Sequence, residues 1–378
     1  MIRNAKLKKV LVDYIFPIFS SINKIIPKDD NRIFIYNANG TLNDNSKVIC
    51  DYLVDNGYDT RYKIISGSEP IPDEKYKSVK FIGKAQCIFT YMRSAHVLYS
   101  MGKMPIKPSK NQIVINMWHG APTKLAGKNF DKTAGDEFFF TYVCATSEYY
   151  KGIMAKTFGC PLDNVAINGD PQADKLFIDK KDRKKKFIVW TPTFRQSTFL
   201  GHDDSTLQDL LPLIPENEWG ELNSWLDDHN AEMFVKLHPM QDTKGFRKKE
   251  FSSLRIYSDR AFVEKKGDIF EILSQADALI SDYSSVFLNF LLLNRPIAFA
   301  LPDFEEYTKT RGLVFENPLE FMPGSKCEKK EDIYAFISDV CNGIDNYEQD
   351  RKRVDSIVNT YHDGKNCERL LELANIIM

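Results

Sequence analysis

Short apolar runs alternate with amphipathic runs along most of this chain. In the clearest example the apolar run Ala278–Ile280 precedes a polar turn and the helical run Val286–Leu293, and Ile297–Leu301 forms a second apolar run. This order predicts a strand, a turn, a helix and a second strand. That succession is the repeating unit of a doubly wound α/β layer.

The same alternation continues on both sides of this unit and predicts parallel strands, because helices separate most strands from the next. The other predicted strands are Arg32–Tyr36, Tyr62–Ile65, Val97–Ser100, Ile113–Trp118, Tyr142–Ala145, Phe187–Trp190, Met233–Leu237 and Leu254–Tyr257. The other predicted helices include Lys47–Asn56, Tyr149–Phe158, Leu222–Asp228 and Ile269–Leu273. The predicted fold class is therefore α/β.

Two domains are expected, because 378 residues are too many for one ordinary hydrophobic core. The charge run Asp179–Lys186 lies between two sets of strands and is typical of a solvated linker. We predict an N-terminal segment at 1–28, a Rossmann-like domain at 29–180, a second at 187–345 and a helical tail at 346–378. Ligands of such sheets bind beyond the carboxyl ends of the strands, so the domains are expected to face a central cleft.

The N-terminal segment combines basic and apolar positions. Apolar residues recur at helical spacing between Val10 and Ile26, but Asp13 and Pro17 interrupt the segment. It lacks a signal-peptide cleavage site, and no apolar run in it is long enough to span a bilayer. The first ten positions hold four basic residues and no acidic residue: Arg3, Lys6, Lys8 and Lys9. This amphipathic helix either packs on the body of the protein or lies on an anionic membrane surface, and the basic residues favour the membrane.

The composition narrows the classes of function. Hydrophobic residues make up 43% and charged residues 27%, as in a folded globular protein. The 51 Lys and Arg residues against 52 Asp and Glu residues give a net charge of −1, which argues against a nucleic-acid partner. The seven cysteines are scattered, so they predict reduced thiols, and neither they nor the six histidines form a zinc-binding pattern.

Four polar clusters directly follow predicted strands, and we expect them to converge because the carboxyl ends of parallel strands share one sheet edge. They are Trp118-His119-Gly120 with Lys124, Thr191–Arg195, Lys236–Pro239 and the serine turn Ser281–Ser285.

Each cluster has a chemical and a structural interpretation. His119 suits proton transfer near neutral pH, or it is a structural histidine. Arg195 offers a fork for two phosphate oxygens, or it forms a surface salt bridge. His238 precedes a proline that restricts its backbone, and it either serves the site or is a hydrogen-bonded core histidine. The serines either cap a helix or expose its N–H groups to an anion. Together these groups suit a pyrophosphate.

The sequence resembles one known family over nearly its whole length, from about Asn43 to Arg369. The resemblance rests on WHGAPTK (118–124), TPTFR (191–195), KLHP (236–239), SDYSSVFLNFLLLNRP (281–296), YTKTRGLVFE (307–316) and YHDGK (361–365). These motifs are similar to those of the CDP-glycerol glycerophosphotransferase family, the teichoic acid primases and polymerases. The resemblance implies a GT-B fold and transfer of glycerol phosphate from CDP-glycerol to an acceptor hydroxyl. It also implies release of CMP at the cytoplasmic face of the cell membrane.

The resemblance also implies roles for residues. The catalytic residues would be His119, as general base, and His238. The donor phosphate or nucleotide would contact Thr193, Arg195, Ser281, Asp282, Ser284, Ser285 and Arg311. The acceptor side would include Asn43, Gly120 and Lys124. The sequence departs from the family pattern at Ala121, in Asp170-Pro171-Gln172, and at Gln196.

No carboxylate cluster in the sequence indicates a required metal or other cofactor, although Mg²⁺ accompanying the donor is compatible with it. The expected partners are CDP-glycerol, a lipid-linked saccharide or polymer acceptor, and the inner membrane surface. The alternatives are a transferase for CDP-ribitol or another CDP-alditol, a GT-B glycosyltransferase or epimerase acting on a nucleotide sugar, and a non-catalytic binding protein. The last is disfavoured because His119, Arg195 and His238 are all retained.

Overall fold

A computed structural model of the chain describes residues 11–130, 137–195, 197, 204–243, 250–264 and 267–378, with only the backbone at Val12 and Glu264. The basic residues of the first ten positions and Gln196 lie outside this description. The chain divides into two compact units. The first comprises Met1–Ala121, Ala126–Asp174 and Asp363–Met378, and the second comprises Pro122–Leu125 and Lys175–His362.

The first unit is built on a parallel sheet. Its strands in the described part of the chain are β1 (Asp29–Tyr36), β2 (Lys63–Ser66), β3 (Lys80–Phe81), β4 (Ser94–Tyr99), β5 (Ile113–Asn116), β6 (Tyr142–Ala145) and β7 (Val165–Ile167). They lie in the order β3-β2-β1-β4-β5-β6-β7. Alternate residues of β1 enter different hydrophobic clusters, Ile33 and Ile35 one and Phe34 the other, so the sheet is covered on both faces.

The second unit repeats this design. Its described strands are β8 (Lys186–Trp190), β9 (Ala231–Lys236), β10 (Leu254–Tyr257), β11 (Ala278–Ser281), β12 (Ile297–Ala300) and β13 (Ser325–Cys327). All pairings are parallel, and the order is β10-β9-β8-β11-β12-β13. In both sheets the strand order therefore reverses beside the strand that comes first in the chain, as it does in nucleotide-binding sheets. The predicted α/β class with two Rossmann-like sheets is confirmed.

Helices connect most of the strands. Numbered along the described chain, they are α1 (Phe16–Asn23), α2 (Asp44–Asp55), α3 (Lys84–Arg93), α4 (Glu148–Phe158), α5 (Trp219–Asp228), α6 (Asp259–Glu264), α7 (Ile269–Gln275), α8 (Val286–Phe290), α9 (Phe304–Arg311), α10 (Lys330–Asn342), α11 (Glu348–Val358) and α12 (Asn366–Leu373). A π-helical turn at Leu11–Ile15 precedes α1. None of the described helices is long and apolar enough to cross a membrane.

Helix α1 has one packed side and one exposed side. Asn23 is fully buried and donates hydrogen bonds to Lys107 O (2.9 Å) and Gln112 Oε1 (3.0 Å), which fixes the helix to the first unit. Large apolar side chains on the helix and the flanking residues remain exposed: Tyr14, Ile18, Ile22 and Ile25. Both interpretations of the N-terminal segment therefore retain a physical basis, because one side packs and the other presents apolar surface.

The segment predicted as a helical tail divides between the two units. Helix α11 lies in the second unit, whereas α12 lies in the first. Leu370 and Leu371 of α12 belong to a core cluster of the first unit. The amide groups of Asn366 and Cys367 at the start of α12 donate to the Asp174 carboxylate at 2.9 and 2.8 Å. Apolar burial and these hydrogen bonds explain why the C terminus returns to the first sheet.

Candidate active site

His119 lies in a tight turn after β5 in the first unit. The strand ends at Asn116, two residues before its predicted end, because Trp118 adopts a left-handed backbone conformation with φ 54°. The turn is held by hydrogen bonds from Trp118 N to Asn116 Oδ1 and from Asn45 Nδ2 to Trp118 O, both of 3.1 Å. Gly120 follows with φ 95°. A backbone conformation that costs free energy is therefore kept where it presents a histidine.

The turn leaves the imidazole of His119 exposed but oriented. The ring stacks on Trp118 with centroids 4.1 Å apart and an interplanar angle of 28°. Trp118 in turn contacts the Phe158 ring edge-on at 4.9 Å. An accessible imidazole with a fixed ring plane has the properties that a general base requires.

A narrow concavity lies beside this turn. Residues at or just after the carboxyl ends of β5, β6 and β7 line it, and Gly120 forms part of its wall. Of the other residues predicted for the acceptor side, Asn43 accepts a hydrogen bond from Asn37 Nδ2 (2.8 Å) at the start of α2. Lys124 belongs to the second unit. The three predicted acceptor-side residues therefore lie in three different places: Asn43 at the start of α2, Gly120 in the wall of the concavity, and Lys124 in the second unit.

Arg195 occupies the centre of the polar clusters in the second unit. Its side chain is only 2% exposed. Nη1 donates to Asp282 Oδ2 at 2.7 Å, and Nε donates to Asp303 Oδ2 at 2.8 Å. The guanidinium also lies over the rings of Tyr283 and Tyr307, at 5.0 and 5.3 Å from their centroids. Its hydrogen bonds engage protein carboxylates, an arrangement that suits a positioning role, and the direct phosphate contact expected of Arg195 stays a prediction.

Asp282 joins two of the sequence clusters. It is fully buried and accepts hydrogen bonds from Thr193 N (2.9 Å), Thr193 Oγ1 (2.5 Å) and Ser284 N (3.2 Å), in addition to Arg195. A buried carboxylate is stable only when paired and hydrogen-bonded in this way. Thr193 and Asp282, predicted as donor contacts, therefore hold the TPTFR segment against the serine turn.

The serine turn leads into a short helix. Helix α8 has five residues before a 3₁₀ turn at Leu291–Leu293, so its dipole is smaller than the predicted helix would supply. Ser285 occupies the N-cap position without a side-chain capping bond. Ser281 is fully buried, and its hydroxyl has no hydrogen-bond partner among the described residues. Ser284 and Ser285 are half-buried.

Residues Pro122–Leu125 form a short extended segment of the second unit. Lys124 makes an antiparallel bridge with Leu313, and Arg311 Nη1 donates to Leu125 O at 2.6 Å. Lys124 is half-buried and makes no side-chain hydrogen bond or ion pair within the described ranges. Burial lowers the pKa of Lys124 to about 8; nearby Asp282 and Asp204 oppose this shift, while Arg311 and Arg195 add to it. Lys124 is therefore a cation available to an anionic ligand.

His238 is held beside the same cluster. Its Nδ1 accepts a hydrogen bond from Met240 N at 3.1 Å, so the neutral ring carries its proton on Nε2. The ring lies 5.1 Å from that of Phe194, and Gln241 Oε1 accepts from Arg195 N at 3.0 Å. These contacts join the KLHP and TPTFR segments within the second unit.

The structure adds residues that sequence reasoning missed. Asp303 completes the pairing of Arg195, and Tyr283 Oη donates to the same carboxylate at 2.9 Å. Asp303 follows the strand β12 in the same way as the recognised clusters follow theirs, and this signal could have identified it. Among the described residues, no group of three or more His, Cys, Asp or Glu side chains is arranged to hold a metal ion.

Comparison with known proteins identifies one family. A family model described as CDP-Glycerol:Poly(glycerophosphate) glycerophosphotransferase matches residues 18–375. A teichoic acid glycerol-phosphate primase of Bacillus subtilis (strain 168) is 30% identical over 265 residues, which are 68% of this chain and 62% of the primase. The chain thus spans about three fifths of that relative. The teichoic acid ribitol-phosphate polymerase TarK of Staphylococcus aureus (strain NCTC 8325 / PS 47) is 25% identical over 394 residues, 95% of this chain and 71% of TarK.

A solved structure shares the fold. A histidine-to-asparagine variant of the wall teichoic acid polymerase TagF, soaked with CDPG, is similar with a TM-score of 0.73 and 18% sequence identity, over 98% of this chain and 95% of that one. The predicted GT-B class is confirmed by this likeness.

Proposed function

The chain belongs to the CDP-glycerol:poly(glycerophosphate) glycerophosphotransferase family, and we propose that it transfers glycerol phosphate from CDP-glycerol to a hydroxyl group of a membrane-linked glycan or teichoic acid acceptor, releasing CMP. The observation that carries this proposal is the polar cluster of the second unit. There a cation that makes no ion pair within the described residues (Lys124), the His238 imidazole and the serine turn are held around the buried Arg195–Asp282 pair.

In the proposed mechanism these groups hold the donor's diphosphate. Lys124 and His238 supply charge and hydrogen bonds, and the hydroxyls of Ser284 and Ser285 supply further donors. Arg195 and Asp282 contact each other rather than the donor, so their part is to keep the loops in place. Arg311 Nε lies 3.9 Å from Asp204 Oδ2 and acts with Arg195 in this positioning.

The reaction is a displacement at phosphorus. The acceptor oxygen attacks the phosphorus that carries glycerol, and the bond from this phosphorus to the bridging oxygen breaks. CMP leaves with the electron pair of that bond, while His119 takes the proton of the acceptor hydroxyl. No step requires a metal ion, although Mg²⁺ bound to the donor phosphates is compatible with it. Turnover in excess chelator would separate the two cases.

The general-base assignment is tested by His119→Ala. We expect this variant to lose turnover by roughly 10²-fold or more while it binds CDP-glycerol almost as tightly as the wild type, because the exposed imidazole acts on the acceptor. CMP release measures turnover, and calorimetry measures binding. Normal turnover in the variant would reject the assignment.

CDP-ribitol is the second candidate donor, because the ribitol-phosphate polymerase TarK matches 95% of the chain. Incubation of the purified protein with CDP-glycerol, CDP-ribitol or a UDP-sugar, each with an acceptor, would separate the candidates by the nucleotide released. We expect CMP from CDP-glycerol. Release of UDP alone would instead indicate a glycosyltransferase, and no release from any donor would favour a binding protein.

We also propose that α1 places the protein at the cytoplasmic face of the membrane. The exposed apolar side chains of α1 and its flanks support this location, and the basic residues that precede the helix in the sequence add electrostatic attraction to anionic lipid.

A further inference from the structure

The turn that presents His119 contains a backbone conformation that its tryptophan disfavours. Trp118 has φ 54°, in the left-handed region, which is unfavourable for a bulky side chain. Its ring stacks on the imidazole of His119, with centroids 4.1 Å apart. A backbone conformation of this kind persists only where surrounding groups hold it, so the contacts of Trp118 determine where the imidazole lies.

The side chain of Asn45 holds this turn from another segment of the first unit. Asn45 lies in the first turn of α2 and is fully buried. Its Nδ2 donates to Trp118 O at 3.1 Å, and its Oδ1 accepts from Gln172 N at 2.9 Å. These two backbone groups lie 73 and 127 positions away in the sequence. An asparagine can bridge them because its amide carries both a donor and an acceptor.

The segment that contains Gln172 is itself fixed by the C-terminal helix. Asp170 O accepts a hydrogen bond from Asn366 Nδ2, at the start of α12, at 3.1 Å. The bond to Asn45 uses the backbone amide of Gln172, so it does not depend on the side chain by which the sequence departs from the family pattern here. Asn45 therefore connects the turn of the proposed base to a part of the first unit that α12 holds in place.

We propose that Asn45 is a positioning residue for the reaction: its hydrogen bond to the Trp118 carbonyl keeps Trp118 in the left-handed conformation and thereby orients the ring of His119. The inference rests on the proposed function, in which His119 takes the proton of the acceptor hydroxyl, and extends it by naming the residue that orients this base. Asn45 is fully buried, so it acts through Trp118 rather than on a substrate. Displacement of a catalytic group by about 1 Å can lower a rate by roughly 10²-fold, so loss of this bond should slow turnover.

The test compares Asn45→Asp with the wild-type full chain. The carboxylate keeps the acceptor for Gln172 N but loses the donor to Trp118 O, so it removes the bond that the proposal invokes. With CDP-glycerol as donor and tri(glycerol phosphate) as acceptor probe, we expect kcat to fall about tenfold or more and both KM values to stay near those of the wild type. Asn45→Ser, with an uncharged side chain too short for either bond, should give a similar loss, so the comparison survives if one of the two variants fails to fold.

Nuclear magnetic resonance of the histidine side chains measures the orientation of His119 independently of turnover. Stacking on a tryptophan ring displaces the proton signals of an imidazole upfield, and the His119 signal is assigned by its absence from His119→Ala. We expect this displacement in the wild type and its loss in Asn45→Asp. The matched control is Asn164→Asp, because Asn164 Nδ2 donates to Thr141 O at 2.8 Å just before β7, at the opposite edge of the sheet. This control should melt at a lower temperature but keep the wild-type kcat and His119 signal.

The two measurements separate failure of this inference from failure of the proposed function. If the wild type releases no CMP but Asn45→Asp loses the upfield displacement, Asn45 orients His119 and the transferase proposal fails. If the wild type is active and Asn45→Asp keeps either its kcat or its displaced His119 signal, the inference is wrong, because a role confined to the fold would lower only the melting temperature. An inactive wild type whose His119 signal is unaltered by Asn45→Asp overturns both proposals.

Discussion

At the residue scale, the charged residues of the polar cluster in the second unit form two groups. One group consists of buried ion pairs, and the other is a single cation that can bind an anionic ligand. Arg195, Asp282 and Asp303 are buried and satisfy one another, whereas Lys124 makes no ion pair within the described part of the chain. A buried pair gives geometric specificity at a cost in desolvation, and an unpaired cation gives affinity for an anion. The ion pairs therefore fix the geometry of this region, and the remaining cation gives it affinity for an anion.

Removal of Arg195 should destabilise the second unit. Arg195→Met leaves the Asp282 and Asp303 carboxylates buried without their cation, so we expect the free energy of unfolding to fall by about 3 kcal/mol. Urea denaturation followed by tryptophan fluorescence would measure it. Arg255→Met is the control, because Arg255 is exposed and lies 3.8 Å from its partner Glu232, and it should change little. Equal losses in the two variants would contradict the positioning role of Arg195.

Donor binding should depend on pH through Lys124. With a pKa lowered to about 8, its side chain is mostly charged at pH 7 and mostly neutral at pH 9, so affinity for CDP-glycerol should fall as pH rises through 8. Lys124→Met should bind the donor about tenfold more weakly at pH 7 and lose most of this pH dependence. Calorimetry at both pH values would test this, with the exposed Lys309→Met as control. An unaltered pH profile in Lys124→Met would exclude a contact between Lys124 and phosphate.

At the scale of elements, apolar periodicity predicted most strands and helices but not their ends. The strands β3, β7 and β13 have only two or three residues, too few to show a pattern, and were not predicted. Strand β5 ends early because Asn116 and Asn45 hold Trp118 in a left-handed conformation. Such ends depend on side chains from other segments, which local periodicity does not encode.

Helix α1 gives a prediction for membrane binding. Ile18 and Ile22 lie one helical turn apart and are 56% and 37% exposed, so Ile18→Ser with Ile22→Ser should weaken binding to anionic phospholipid vesicles about tenfold or more. Vesicle sedimentation would measure it. The matched control replaces Val263 and Ile344, which are exposed apolar residues of the second unit, with serine. If both pairs of substitutions weakened binding equally, α1 would have no special role.

At the scale of the whole molecule, the chain passes between the two units more than once. Residues Pro122–Leu125 leave the first unit to pair with the second, and α12 returns to the first after α11. The sequence suggested one linker and a separate tail, because charge runs and amphipathic helices do not reveal where a helix packs. The burial of Leu370 and Leu371 in a core cluster of the first unit, together with the hydrogen bonds from Asn366 and Cys367 to Asp174, assigns α12.

This assignment predicts a selective loss of stability. Leu370→Ala should destabilise the first unit by about 3 kcal/mol, because Leu370 is fully buried in its core. Hydrogen exchange should show faster exchange in β1 and β4, while β8 and β11 stay protected. Leu319→Ala, at a position that is 44% exposed, should change neither unit. Uniform loss of protection across both sheets would contradict a first-unit role for α12.

The sequence by itself determined the α/β class, the two Rossmann-like sheets and the strands that precede His119, His238 and the serine turn, because apolar runs and the residues after them are local properties. Tertiary structure decided which of those residues remain available to a ligand. Arg195 meets Asp303 across 108 positions of sequence, whereas Lys124 makes no ion pair within the described residues. Burial and pairing result from packing between distant segments, and they separate a side chain that holds the fold from one that can hold a substrate.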